Sequence, residues 1–144
     1  MRHLFDQYSQ PENRLTHALV SSLANDPALL RKFVYWATGQ KPPTSLSIVE
    51  QTLPGQEEPL HEDQERRRGL PDGWIHDEDN WCLLIENKIQ SALTRNQLDR
   101  HRATALRRGF RKIVLLALVP NPTDEPGLYG DSVILRKWTA LYLW

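Results

Sequence analysis

The run 81–89, Trp-Cys-Leu-Leu-Ile-Glu-Asn-Lys-Ile, is apolar up to Ile85 and then carries Glu86 and Lys88 before it closes on isoleucine. Large apolar residues in a short unbroken run predict a buried strand. Side chains alternate along a strand, so Leu84, Glu86 and Lys88 project to one side and Ile85, Asn87 and Ile89 to the other. A carboxylate and an ammonium at the end of such a strand are costly to desolvate unless they are paired or hold a metal. The chain must therefore fold around this strand and supply partners for its two charges.

Upstream, a strand over 70–75 and the cluster Asp77-Glu78-Asp79-Asn80 predict a hairpin with the run 81–89. Folding back at that tip brings Asp72 towards Glu86. Two carboxylates so placed suit a hard divalent cation, magnesium above all, which takes oxygen ligands and keeps several waters. Lys88 would orient or help to deprotonate an attacking water and offset charge on a phosphate. The competing reading of Asp72 is local: Pro-Asp-Gly is a favoured turn in which the aspartate bonds its own backbone. Repulsion between the paired carboxylates further predicts that Asp72→Ala or Glu86→Ala removes activity without loss of stability.

Pro71-Asp72 followed by Glu86-Asn87-Lys88 resembles the signature of the PD-(D/E)XK nuclease superfamily, and the family's order of helix, three strands, helix and strand can be laid over residues 9–119. The resemblance implies an α/β fold with a restriction-endonuclease-like mixed sheet flanked by helices, here with an extra N-terminal helix. It implies a magnesium-dependent endonuclease, with manganese able to substitute, acting on double-stranded DNA, with a second copy of the chain as a candidate partner. Many members place an early-helix glutamate at the metal, which maps to Glu12, and several branches add a polar residue, which maps to Gln97. Each has a plainer reading. Ser9 with Glu12, and Thr94 with Gln97, both have the spacing of a capping box. His101, one turn beyond Gln97 on the same face, favours the site reading for Gln97.

The helix predicted over 94–108 turns Leu98, Ala105 and Leu106 inward and most of its arginines outward, a surface that suits phosphates. Arg95, Arg102 and Arg107 are the candidate phosphate contacts, against the alternative of a solvated face. The 77–80 cluster lacks the glycine and distal glutamate of a calcium loop. His61, His76 and Cys82 have no partners at zinc spacing, and Cys82 reads as a core thiol.

The chain has 144 residues, 40% hydrophobic and 25% charged, enough for a single domain over 1–144. One cysteine and no apolar run of signal or membrane length predict a soluble protein of a reducing cytoplasm, with no membrane contact. The net charge of zero conceals an acidic stretch over 56–86 and a basic one over 88–112, where Asp99 is the single acid.

Elsewhere the pattern predicts a helix over 9–25 with the stripe Leu15, Leu19 and Leu23. A second helix follows from Pro27 to a stop at Gly39. Strands are expected over 45–53, 113–119 and 132–136, with a polar mobile loop over 54–67 and a proline-rich one over 120–126. No repeats occur. The aromatic tail 137–144 wants a covering surface, on this domain or on a partner. It suggests the N-terminal module of a longer protein, such as the effector of an antiphage defence machine with a sensor beyond Trp144. Two other readings remain open: a catalytically inactive nucleic-acid-binding module, and a structural or partner-binding domain.

Overall fold

The computed structural model describes residues 11–50, 69–122, 129–130 and 132–144. The expected cap at Ser9, the first strand beyond Glu50, the polar stretch with His61 and the loop positions 123–126 lie outside them.

Helices α1 (Pro11–Asn25) and α2 (Pro27–Thr38) come first. Asp26 separates them, its carboxylate accepting from the Ala28 and Leu29 amides at 2.9 and 3.0 Å, and Pro27 opens α2. Gly39, at φ +70°, ends α2 and donates its amide to the Tyr35 carbonyl at 2.7 Å. Leu30, Phe33, Val34 and Ala37 form the buried stripe.

Five strands follow: β1 (Ser47–Glu50), β2 (Gly73–His76), β3 (Trp81–Asn87), β4 (Lys112–Val119) and β5 (Val133–Lys137). They form one mixed sheet in sequence order, with β1, β2 and β3 antiparallel and β4 and β5 parallel to β3 and to each other. The crossover from β3 to β4 is helix α3 (Arg95–Arg107), and a short helix α4 (Trp138–Tyr142) follows β5. The protein is thus α/β, with a mixed sheet and four described helices. At the β2–β3 tip, Asp77 accepts from the amides of Asp79, Asn80 and Trp81. Burial pushes its carboxyl up, but these bonds outweigh that and hold it below the usual range.

Alternation along the strands builds two cores. Ile75, Leu83, Ile85, Leu116 and Leu118 pack under α1 and α2. Trp74, Cys82, Leu84, Ile113 and Leu115 pack under α3, through Leu98 and Ala105. Cys82 is fully buried, and burial pushes its thiol up to about 12. Two helical positions differ from the periodic expectation. Leu15 and Leu106 are each 42% exposed, while Thr16 and Thr104 are buried. Each threonine bonds the carbonyl four residues back, Glu12 at 2.9 Å and Arg100 at 3.0 Å, and so enters the core with its hydroxyl satisfied. In the aromatic tail, Trp138 and Leu141 pack on the α1–α2 core and Trp144 lies against Phe33 and Trp36. Tyr142 and Leu143 remain exposed.

Candidate functional site

Glu86 lies on the α3 side of β3, two residues beyond Leu84, where an apolar strand would continue burying carbon. It is 2% exposed, and both of its carboxylate oxygens have polar partners. Oε1 pairs with Lys88 Nζ at 2.7 Å and accepts from Gln97 Nε2 at 2.5 Å. Oε2 meets His101 Nε2 at 2.8 Å. The desolvation demanded by the strand is met from three directions, two of them on α3. Thr94 caps α3 by accepting the Gln97 amide, so the cap belongs to Thr94 and leaves the Gln97 side chain for Glu86.

His101 is 2% exposed and bridges Glu86 to the backbone. Its Nδ1 lies 2.8 Å from the Gly69 carbonyl, which can only accept, so that bond places a proton on Nδ1. Gly69 makes this possible by close approach: at φ +68° it rests against α3, and a side-chain carbon there would stand 3.0 Å from Arg100 Cβ. The one-turn spacing from Gln97 to His101 signals their common face, but the Gly69 contact has no sequence signal.

Asp72 precedes β2, whose ladder pairs Gly73 with Ile85. Asp72 itself lies in the bend just before that ladder. Its Oδ2 accepts the Asn87 amide at 2.6 Å, which ties the segment before β2 to the end of β3. The Asn87 side chain points to the other face and donates to the Thr16 hydroxyl.

Glu12 stands on α1 and does not reach Glu86 through any contact seen here. Its Oε1 instead accepts from the amides of Ile89, Gln90 and Ser91 at 2.8, 3.0 and 3.2 Å, and from the Ser91 hydroxyl. Burial pushes its carboxyl up, but these donors outweigh that and bring it from 4.5 down to about 2. Glu12 thus clamps the loop that leaves Lys88. The Lys88 amide donates to the Leu118 carbonyl at 2.9 Å, holding the same point to β4.

Lys88 also lines a cleft of about 230 Å³ with Ser91, Leu93, Asn121, Tyr129 and Leu135, where the parallel strands β3 and β4 end. Its side chain, 12% exposed, stands between that cleft and the buried carboxylate. None of the candidate phosphate contacts lines that cleft. Arg95 faces Asp99 at 3.8 Å with both side chains exposed, and Arg107 donates to the Thr104 hydroxyl at 2.8 Å. At 100° per residue, Arg95 and Arg102 fall within about 20° of each other on α3, while Arg107 lies about 120° from Arg95.

Among the described residues, no group of three or more histidine, cysteine, aspartate and glutamate side chains forms a cage for a metal ion. Magnesium asks for less, one or two carboxylates with waters and substrate phosphate. Asp72 and Glu86 supply hard oxygen donors of that kind from adjacent strand ends. A carboxylate offers about four acceptor positions, of which protein donors take three at Glu86. These bonds also correct the stability expected of Glu86→Ala. Glu86 is paired with a cation, so its loss strands Lys88 and His101 and destabilises the fold.

Searches of family models, of curated proteins and of solved structures each return no match to the chain.

Proposed function

We propose that the protein is a metal-dependent nuclease that hydrolyses phosphodiester bonds, an endonuclease on double-stranded DNA with a restriction-endonuclease-like core. The observation that carries this reading is the convergence of Glu86, Lys88 and Gln97 on one point of the sheet, with Asp72 bonded to the Asn87 amide between them and Lys88 lining a cleft. The element order α1, α2, β1, β2, β3, α3, β4 is compatible with the helix, three strands, helix and strand of that core. Asp72 and Glu86 would hold magnesium or manganese, which when bound polarises the scissile phosphate and acidifies a water. Lys88 orients that water and offsets charge on the phosphate from the cleft side. Gln97 and His101 hold the Glu86 carboxylate in place, and Glu12 holds the loop behind Lys88. Arg95, Arg102 and Arg107 contact the backbone of the substrate.

The three protein partners already on the Glu86 carboxylate favour a second reading, a module that binds nucleic acid, or a partner, around a structural charge cluster without cutting. Labelled duplex DNA incubated with the protein, with and without magnesium, separates the two when binding is measured alongside. Metal-dependent cleavage that disappears in Asp72→Asn, a variant that keeps an acceptor for the Asn87 amide, supports the nuclease. Binding without cleavage under magnesium or manganese rejects it in favour of the second reading.

A further inference from the structure

On the face of the sheet opposite Glu86, α2 and the residues after α4 enclose an open groove of about 740 Å³. Because Leu30, Phe33, Val34 and Ala37 turn inward, α2 presents Arg31, Lys32 and Tyr35 to the other side, where they line the groove with Trp36, Lys41 and Trp144. Among the described residues lining it none is acidic, and the surface between the cations is mostly carbon. The groove is built. Arg31 donates to the Pro43 and Thr44 carbonyls at 2.6 and 3.0 Å, which fixes the wall that carries Lys41 and Pro42. Trp144 stands edge-on to Phe33 at 6.0 Å and against Trp36 at 5.9 Å, while Arg136 lies over Trp36 at 5.8 Å. Two rings remain open to a ligand, Tyr35 at 60% exposure and Trp144 at 43%.

Exposed rings held in place beside cations, with no acid between them, complement an anion that itself carries flat rings. A purely apolar partner would cover three cations without countercharge. A duplex keeps its base faces stacked and unavailable, whereas unpaired bases stack on aromatic side chains. We propose that this groove binds single-stranded nucleic acid, with unpaired bases stacked on Tyr35 and Trp144 and their phosphates met by Lys32 and Lys41. The site lies across the sheet from Lys88 and does not rest on cleavage there.

The test is fluorescence anisotropy of a labelled single-stranded oligonucleotide and of the matching duplex, in EDTA and across a salt series. The single strand binds the wild-type protein. Tyr35→Ala weakens that binding about ten-fold, with the melting curve unchanged because the ring is exposed. Lys32→Ala combined with Lys41→Ala flattens the slope of log affinity against log salt by about 1.4, at ~0.7 per phosphate contact. Neither change alters duplex binding. No single-strand binding, or binding that is indifferent to these substitutions, overturns the proposal, and its loss in the Arg95, Arg102 and Arg107 triple alanine variant would place it on α3 instead. So does a labelled acidic helical peptide that binds more tightly than the oligonucleotide and is lost on the same substitutions, for the groove then takes a protein partner.

Discussion

Glu86 and Glu12 are two glutamates of opposite circumstance. Glu86 is buried among side chains, with a cation on one oxygen and an imidazole on the other. Removing one partner of a buried pair typically costs about 3–5 kcal/mol. Glu86→Ala should lose stability on that order, whereas Glu86→Gln, which keeps an acceptor and the volume, should lose less; denaturant melts of the two variants check the order. Glu12 is only half-buried, and its partners are backbone amides. A carboxyl held below its unfolded value contributes stability that is full above pH 4.5 and is lost as the pH falls towards about 2. After allowance for solvent screening that contribution is about 1–2 kcal/mol. Glu12→Ala should therefore lower stability at neutral pH and flatten its decline below pH 4.5; a variant whose acid limb matches the wild type would remove the clamp from the account.

At the scale of elements, much of the chain was legible. Asp26-Pro27 and Gly39 mark both ends of α2, and the apolar runs 81–89 and 113–119 hold the central strands, Trp81–Asn87 and Lys112–Val119, since these signals depend on local backbone chemistry and on burial on both faces. Counting apolar residues misplaced Leu15 and Leu106, because a threonine whose hydroxyl bonds its own helix is as good a core residue as a leucine. The pairing of Glu86 with Lys88 and the role of Gln97 follow from period two in the strand and from one turn of helix. The bond from Asp72 to the Asn87 amide, the clamp by Glu12 and the reach of Gly69 to His101 join residues far apart in sequence, and no local pattern encodes them. Gly69→Ala tests the last of these. The strain of a left-handed residue costs about 1–2 kcal/mol. The added carbon also presses on Arg100, so Gly69 should lose its contact with His101 and the His101 ring signal in a proton NMR spectrum should shift. On α3, the shared flank of Arg95 and Arg102 predicts that their double alanine variant flattens the salt dependence of duplex binding by about 1.8, at ~0.9 per phosphate, with sequence preference unchanged. An unchanged slope would make that flank a solvated surface.

The whole molecule sets these pieces in one order. The helical layers pack the two faces of a single sheet, and the polar cluster sits where β3 leaves it, between the cleft lined by Lys88 and the core under α3. No described helix is long and apolar enough to cross a membrane. The aromatic groove joins α2 to residues more than a hundred positions later and could not be read along the chain. An ion that binds the folded state alone stabilises the molecule by mass action, about 2.7 kcal/mol when its concentration is a hundred times its dissociation constant. For a domain of this length each kcal/mol raises the melting temperature by about 2–4 °C. Saturating magnesium should thus raise the melting temperature by about 5–10 °C in the wild-type protein and hardly at all in Asp72→Asn, which retains the bond to the Asn87 amide but not the charge. Differential scanning fluorimetry over a magnesium series reads this without any substrate. A wild-type midpoint that does not move, or one that moves equally in Asp72→Asn, would mean that the two carboxylates hold no ion and that the cluster around Glu86 is structural.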